Sequence, residues 1–230
     1  MSSIDSDFTF RLAEKSDIDS VILLGREVEQ KLPVRGMFQT DERSFYEPVL
    51  QGGGSILLAH DEQGGLAGVS VILFPEADDV ENLGFDLCLD RQSRAKVRQL
   101  DTVFIRADCR GKALAGKLVQ KNLGLTVRKD KPYSLATVWP GNVPSLRILF
   151  SLGLTLRAFA YKYGGKPRFI AMGGDVLPVF ESGQAEVPAM EFDTVKNYFR
   201  LGWLGTGLGT CTGIGEAIIL FRKPIMKMAV

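Results

Sequence analysis

Apolar and polar positions alternate from Phe8 to Leu12, which predicts a short strand. The period then lengthens. Ile18, Val21, Ile22 and Gly25 fall on one face of a helix that Ser16 would cap, with Asp17 and Asp19 in its first turn. A second helix is predicted from Thr40-Asp-Glu-Arg43 to about Leu50, where Gly52-Gly53-Gly54 stops it. Ser55–His60 and Leu66–Phe74 read as a hairpin. In the charged interval that follows, Phe85, Leu87 and Leu89 alternate as a small strand would. Gln99–Arg106 is rich in β-formers, and a turn leads from it into a long helix from about Lys112 to Arg128. The buried face of that helix would include Leu114, Leu118, Val119 and Leu125. Further on come a strand, Ser134–Val138, a short helix, Pro144–Leu152, ended by Gly153, and two strands, Thr155–Tyr163 and Arg168–Met172. The last part reads as an irregular linker (175–188), a helix (Glu191–Leu201), a glycine-rich stretch (202–215) and a final strand (Ala217–Phe221). Hairpins and helical crossovers are mixed, so the fold class is α/β, with a mixed sheet and helices on both of its faces.

Composition narrows the function classes. The 230 residues are 45% hydrophobic with a formal net charge of +1, which fits a folded globular chain. With 28 basic against 27 acidic residues there is no global field to hold nucleic acid. No apolar run approaches the roughly 20 residues of a membrane span, and Met1–Asp7 lacks the features of a signal peptide, so a cytoplasmic location is expected. Three scattered cysteines and a single histidine, His60, offer neither a disulfide framework nor a zinc spacing, and no metal is expected.

The most informative stretch runs from Val103 to Leu118: a strand, a small-residue loop with basic flanks, then a helix. Amide groups at a helix N-terminus point outward without partners, the helix dipole adds positive charge, and small residues let an anion approach the backbone. Arg110, Lys112 and Lys117 add full charges. This is a pyrophosphate site by physical argument. It is not a Walker loop, and it lacks the three-glycine dinucleotide fingerprint.

Here the sequence resembles the GNAT superfamily of acyl-coenzyme A N-acetyltransferases. The family's Arg/Gln-x-x-Gly-x-Gly/Ala motif is matched by Arg110-Gly111-Lys112-Ala113-Leu114-Ala115, with Ala113 in place of the middle glycine. Phe10-Arg11-Leu12-Ala13 followed by Asp17 resembles the family's first strand and helix. Asn142-Val-Pro-Ser145 with Phe150 and Gly153 resembles its last motif. The likeness covers about residues 8–174 as a coenzyme-binding domain and leaves 175–230 as a C-terminal extension. It implies an acyl-CoA N-acyltransferase fold with a mostly antiparallel mixed sheet. It also implies acetyl-CoA or another acyl-CoA as co-substrate, and a small-molecule or peptide amine as acceptor.

The resemblance also distributes roles. Amide groups from Gly111 to Gly116 would hold the pyrophosphate. A bulge in the fourth strand would free an N–H of Phe104 or Ile105 for the thioester carbonyl. Asn142 and Ser145 would meet the cofactor, although the two equally suit helix capping. On the same strand Asp101 can act as general base, directly or through water, whereas Gln99 cannot; Glu81 and Asp86 are weaker candidates. The position where many relatives carry an acidic tyrosine is Leu149, so Tyr161 is the candidate acid, with Ser145 and Tyr163 as alternatives. Cys109, beside Arg110, would be reactive if its pKa fell. Gly205-Thr-Gly207-Leu-Gly209 reads as a turn, and Glu76, Asp78, Asp79 and Glu81 as a solvated loop. Phe192, Tyr198, Phe199 and Trp203 read as core aromatics that leave a homodimer open.

The reading is therefore an N-acyltransferase acting by direct attack in a ternary complex. The alternatives are a non-catalytic coenzyme A-binding module and the same fold using acyl carrier protein or aminoacyl-tRNA as donor.

Overall fold

A computed structural model describes residues 7–32, 38–126, 130–174, 178–210 and 217–225. The chain divides into two compact units, residues 1–75 with 98–130, and residues 76–97 with 131–230.

In the first unit, strands β1 (Phe8–Leu12), β2 (Gly54–Asp61), β3 (Leu66–Leu73) and β4 (Val97–Ile105) pair antiparallel in that order. Two apolar clusters flank this sheet. Helix α1 (Ile18–Gln30) and the short α2 (Arg43–Pro48) bury Ile18, Val21, Leu24, Val28, Tyr46 and Val49 against Ile56, Leu58, Val69, Val71 and Phe104. Helix α4 (Leu114–Leu125) buries Leu114 and Leu118 against Phe8, Leu57, Ala59 and Ile105. Alternation along the strands assigns residues to the two faces: Ile56 and Leu58 go to one cluster, Leu57 and Ala59 to the other. The cap expected at Ser16 is instead a capping box between Glu14 and Asp17 around the 3₁₀ turn Lys15–Asp17, and Arg11 clamps Asp17 at 2.7 Å. Leu125, expected in the core, is 61% exposed; the last buried position on that helix is Asn122. The expected helix end at Arg128 lies outside the described residues.

In the second unit, β5 (Tyr133–Val138), β7 (Lys166–Gly173), β6 (Thr155–Lys162), β9 (Leu204–Leu208), β10 (Ile218–Pro224) and β8 (Phe180–Pro188) are adjacent in that order, each neighbouring pair antiparallel. It also holds α3 (Arg91–Arg94), α5 (Val143–Ser151) and α6 (Phe192–Arg200). Three expectations need correction here. Residues Phe85–Leu89 form turns rather than a strand, because buried Asn82 holds that loop: its Nδ2 donates to Glu76 O and Arg94 O, and its Oδ1 accepts from Gly84 N–H. The supposed linker contains β8, a largely solvated strand without a clear apolar period. Gly205–Leu208 lies in β9, where Gly205 allows close packing: a Cβ there would meet Leu156 at 2.9 Å and Ile219 at 3.0 Å. The C-terminal aromatics pack on their own unit, with Phe192 on Phe159 at 4.9 Å and Tyr198 and Phe199 on Phe221 at 5.1 and 5.2 Å.

Helix α4 is fixed in register by Asn122. Its Oδ1 accepts from Ser55 Oγ at 2.6 Å, and its Nδ2 donates to Ser70 O at 3.0 Å, all three residues being buried. Removing that amide strands buried partners on two strands, so Asn122→Ala should destabilise the fold by about 2–3 kcal/mol in chemical denaturation. A change below about 0.5 kcal/mol would show that the network carries no load.

Candidate functional site

The turn that joins β4 to α4 is moored at its first residue. Arg106 N–H donates to Ala67 O at 2.9 Å. The Arg106 guanidinium reaches Asp61 at 2.6 Å, Asp108 at 2.8 Å and Leu66 O at 3.1 Å. These bonds hold the Arg106 guanidinium charged and the Asp108 carboxyl well below its usual range. The chain then makes a 3₁₀ turn over Ala107–Cys109 and crosses Gly111 at φ 79° and Ala113 at φ 54° before α4 begins.

Those two left-handed residues govern where the amides go. The first helical bond is Lys117 N–H to Ala113 O at 3.3 Å. None of the N–H groups from Gly111 to Gly116 has a partner among the described residues. Gly111, Lys112 and Ala113 are exposed, and a Cβ on Gly111 would meet nothing within 4 Å. Arg110 is exposed, with its Nε donating to Ile105 O at 3.2 Å, and Lys112 sits 5.8 Å from the Phe8 ring centroid. Six unpaired donors, a helix dipole and two cations fit a polyphosphate. Ala113 takes a left-handed conformation that a glycine would adopt freely, at a cost of about 1 kcal/mol.

Strand β4 carries one irregularity. Val71 faces Thr102 and Ile72 faces Leu100, so Asp101 is the extra residue of a bulge. The bulge therefore falls at Asp101 rather than beside Phe104 and Ile105, which pair in register with Val69 and Gly68. Since Arg106 N–H points to β3, the alternation of an antiparallel ladder turns the Phe104 N–H toward β3 and the Ile105 N–H away from it. Of these two amides, Ile105 alone is directed off the β3 ladder. Both side chains are core, on opposite faces.

Asp101 retains solvent-accessible surface, yet the protein around it is dense enough that desolvation, aided by the charge of Asp41, pushes its pKa up to about 7. Asp41 is itself raised by desolvation. Tyr46 is fully buried and its hydroxyl has no hydrogen-bond partner among the described residues. Burial first, then the charges of Asp41, Asp101 and Glu42, push its pKa up. Asp41 and Tyr46 escaped the sequence reading. Asp41 stood in a predicted helix start and Tyr46 in the helix that follows; a segment some sixty residues upstream gives no hint that its charge reaches the bulge.

Other candidates resolve more simply. Cys109 is buried and its thiol is pushed up by desolvation, which removes the case for a reactive thiolate. His60 ends β2. Asn142 caps α5, accepting from Ser145 N–H at 3.2 Å. Asp86 pairs with Lys162 at 2.7 Å, and Asp78 with Arg91 at 2.7 Å, while Glu81 is exposed. Tyr161, in the second unit, is 57% exposed, with its ring edge-on to Phe159 and 5.4 Å from Lys196 Nζ. Leu149 is buried. Among the described residues no cluster of His, Cys, Asp and Glu could hold a metal, and no helix is long and apolar enough to cross a membrane.

By sequence, no family model and no curated protein matches the chain. Its structure is similar to solved structures. The yncA protein of Salmonella typhimurium, solved with its cofactor acetyl-CoA, is 19% identical, with a TM-score of 0.56 over 77% of this chain and 99% of that one. A GNAT superfamily phosphinothricin acetyltransferase of Sinorhizobium meliloti, in complex with acetyl-CoA, is 14% identical, with a TM-score of 0.52 over 73% and 88%. Arabidopsis thaliana NAA60, also with acetyl-CoA, is 17% identical, with a TM-score of 0.53 over 73% and 98%. The chain has the GNAT acyl-CoA N-acyltransferase fold.

Two outcomes follow from the local geometry. Ala113→Gly should relieve the left-handed strain and raise stability by about 0.5–1 kcal/mol; a loss of stability would contradict the strained cap. The folded pKa of Asp101 lies above its ordinary 3.8, so the native state holds this proton longer than the unfolded chain. Its contribution to stability is full below about pH 4 and is lost as pH rises to about 7. Asp101→Asn should therefore raise the melting temperature relative to the parent more at pH 8 than at pH 5. An equal difference at both would contradict the raised pKa.

Proposed function

Taking the GNAT fold as premise, we propose that this protein is an N-acyltransferase that moves an acetyl or other short acyl group from acyl-CoA to an amine in the cytoplasm. The observation that carries this reading is the run of amides from Gly111 to Gly116, unpaired among the described residues, with Arg110 and Lys112 beside them. A helix start leaves about four amides open in any case, and the left-handed residues Gly111 and Ala113 precede it so that the open run extends to six. Backbone donors at a helix start suit the pyrophosphate of coenzyme A, with Arg110 and Lys112 neutralising its charge.

The chemistry then assigns one task to each group. The amine arrives as an ammonium, and Asp101, with its pKa near 7, takes a proton from it directly or through a water. The freed nitrogen attacks the thioester carbon, forming the C–N bond. The Ile105 N–H, turned away from β3, is the donor toward the oxygen on which negative charge develops. The C–S bond breaks and the sulfur leaves with the electron pair. A thiol of pKa ~8.5 makes unassisted departure of the thiolate tolerable.

Two measurements test it. Acetyl-CoA should bind saturably in calorimetry, and Arg110→Glu should weaken binding at least tenfold, about 1.4 kcal/mol. With a turned-over amine, kcat/KM should rise with pH to a plateau with a midpoint near 7, and Asp101→Asn should lower it by about 10²-fold or more. An absence of binding would favour a non-catalytic module or a different acyl donor. A pH profile flat between 6 and 8 would remove Asp101 as the base.

A further inference from the structure

The β6–β7 hairpin of the second unit carries charge that the fold does not balance. Residues directly opposed across an antiparallel pair share a face, and alternate residues of a strand return to it. Lys162 opposes Lys166, Ala160 opposes Arg168, Ala158 opposes Ile170 and Thr155 opposes Met172, so these residues lie on one face. Arg157 is the extra residue of a bulge between Leu156 and Ala158. Its Nε donates to Thr155 Oγ1 at 3.1 Å, which turns it toward the same face. Of these four cations, Lys162 alone has an acidic partner among the described residues: Asp86, at 2.7 Å.

Arg168 is the anomaly within this group. It is only 8% exposed. A guanidinium offers five donors, yet the one side-chain hydrogen bond of Arg168 among the described residues runs from Nη1 to Pro167 O at 2.9 Å, and no carboxylate comes within ion-pair distance. Burial pushes its pKa down. A buried cation without a counter-charge costs the fold free energy and returns none.

Tyr163 is placed over that cation. Its ring centroid lies 5.5 Å from Arg168 Cζ, and its hydroxyl lies 3.3 Å from Thr137 Oγ1. Thr137 opposes Ile170, which shares the Arg168 face of β7. Tyr163 has a φ of 52°, followed by Gly164 at 78° and Gly165 at 90°. A bulky residue rarely takes the left-handed region, and a glycine would serve the turn without strain. The strained tyrosine brings a hydroxyl beside Thr137 and the arginine, while its ring stays 52% exposed. Solvent thus reaches the cover over an unneutralised guanidinium flanked by two hydroxyl donors.

We propose that Arg168, Thr137 and Tyr163 form an oxyanion site whose ligand is the phosphate group of a small phosphomonoester. A carboxylate is planar and carries one charge. A phosphate monoester offers three acceptor oxygens and about −1.5 to −2 charges, which suits donors on several sides and the unmatched cations of this face. The site uses none of the residues of the β4–α4 turn and does not rest on the acyltransferase reading.

Calorimetry in an Arg110→Glu background, which weakens the turn as a competing anion site, tests it with three probes: phenyl phosphate, benzoate and inorganic phosphate. Phenyl phosphate should bind saturably, at least tenfold more tightly than benzoate. Arg168→Met should weaken it at least tenfold without lowering the melting temperature, because the fold loses an unbalanced buried charge. Tyr163→Phe and Thr137→Val, at more exposed positions, should each weaken it about threefold. Inorganic phosphate should bind more weakly than the ester and lose its binding in the same variants. Absence of saturable binding, binding that survives Arg168→Met, or indifference to both hydroxyl variants overturns the site. Benzoate binding as tightly as phenyl phosphate overturns the phosphate assignment, and inorganic phosphate binding as tightly overturns the ester.

Discussion

A helix entered from a strand leaves its first amides without acceptors, and a protein must either cap them or use them. Here they are left open from Gly111 to Gly116, and much of the first unit supports that opening. Arg106 ties the start of the turn to the β2–β3 hairpin. Gly111 and Ala113 take left-handed conformations, so the amides project outward rather than folding into an early turn. Asn122, two turns further on, fixes the height of the helix above β2 and β3. Without these three devices the donors would still exist, but they would not be held in one place for an anion.

The bulge in β4 is a second departure from regular structure. A strand residue ordinarily alternates faces, and an aspartate inside a strand is ordinarily disfavoured. The bulge at Asp101 suspends both rules at one position, and the surrounding density converts the misfit into a carboxyl that titrates near neutrality. The desolvation of that carboxyl is tolerated because packed clusters on both faces of the sheet offset its cost.

Sequence patterning reached the elements with clear periods. The strands β1, β2, β3 and β4 and the helices α1 and α4 were legible because their apolar residues repeat at 2.0 or 3.6 with turn residues between them. The phosphate turn was legible because small residues and cations are adjacent in the chain. β8 was not, since its solvated side chains leave no period, and β9 was hidden by glycines whose purpose, packing against Leu156 and Ile219, exists only in three dimensions. Asp101 was nominated from its position, but its partners were not: nothing along the chain connects Asp41 and Tyr46 to a strand sixty residues later. The thiol of Cys109 failed as a candidate for the same reason, because its burial is set by tertiary contacts rather than by its basic neighbour.

The central claim is that the open amides of the β4–α4 turn are a binding site for the pyrophosphate of coenzyme A. Backbone amide NMR during titration with coenzyme A addresses them one at a time. The account predicts the largest shifts, and slowed hydrogen exchange, at Gly111, Lys112, Ala113, Leu114, Ala115 and Gly116. Saturable binding that left those six resonances in place would contradict it.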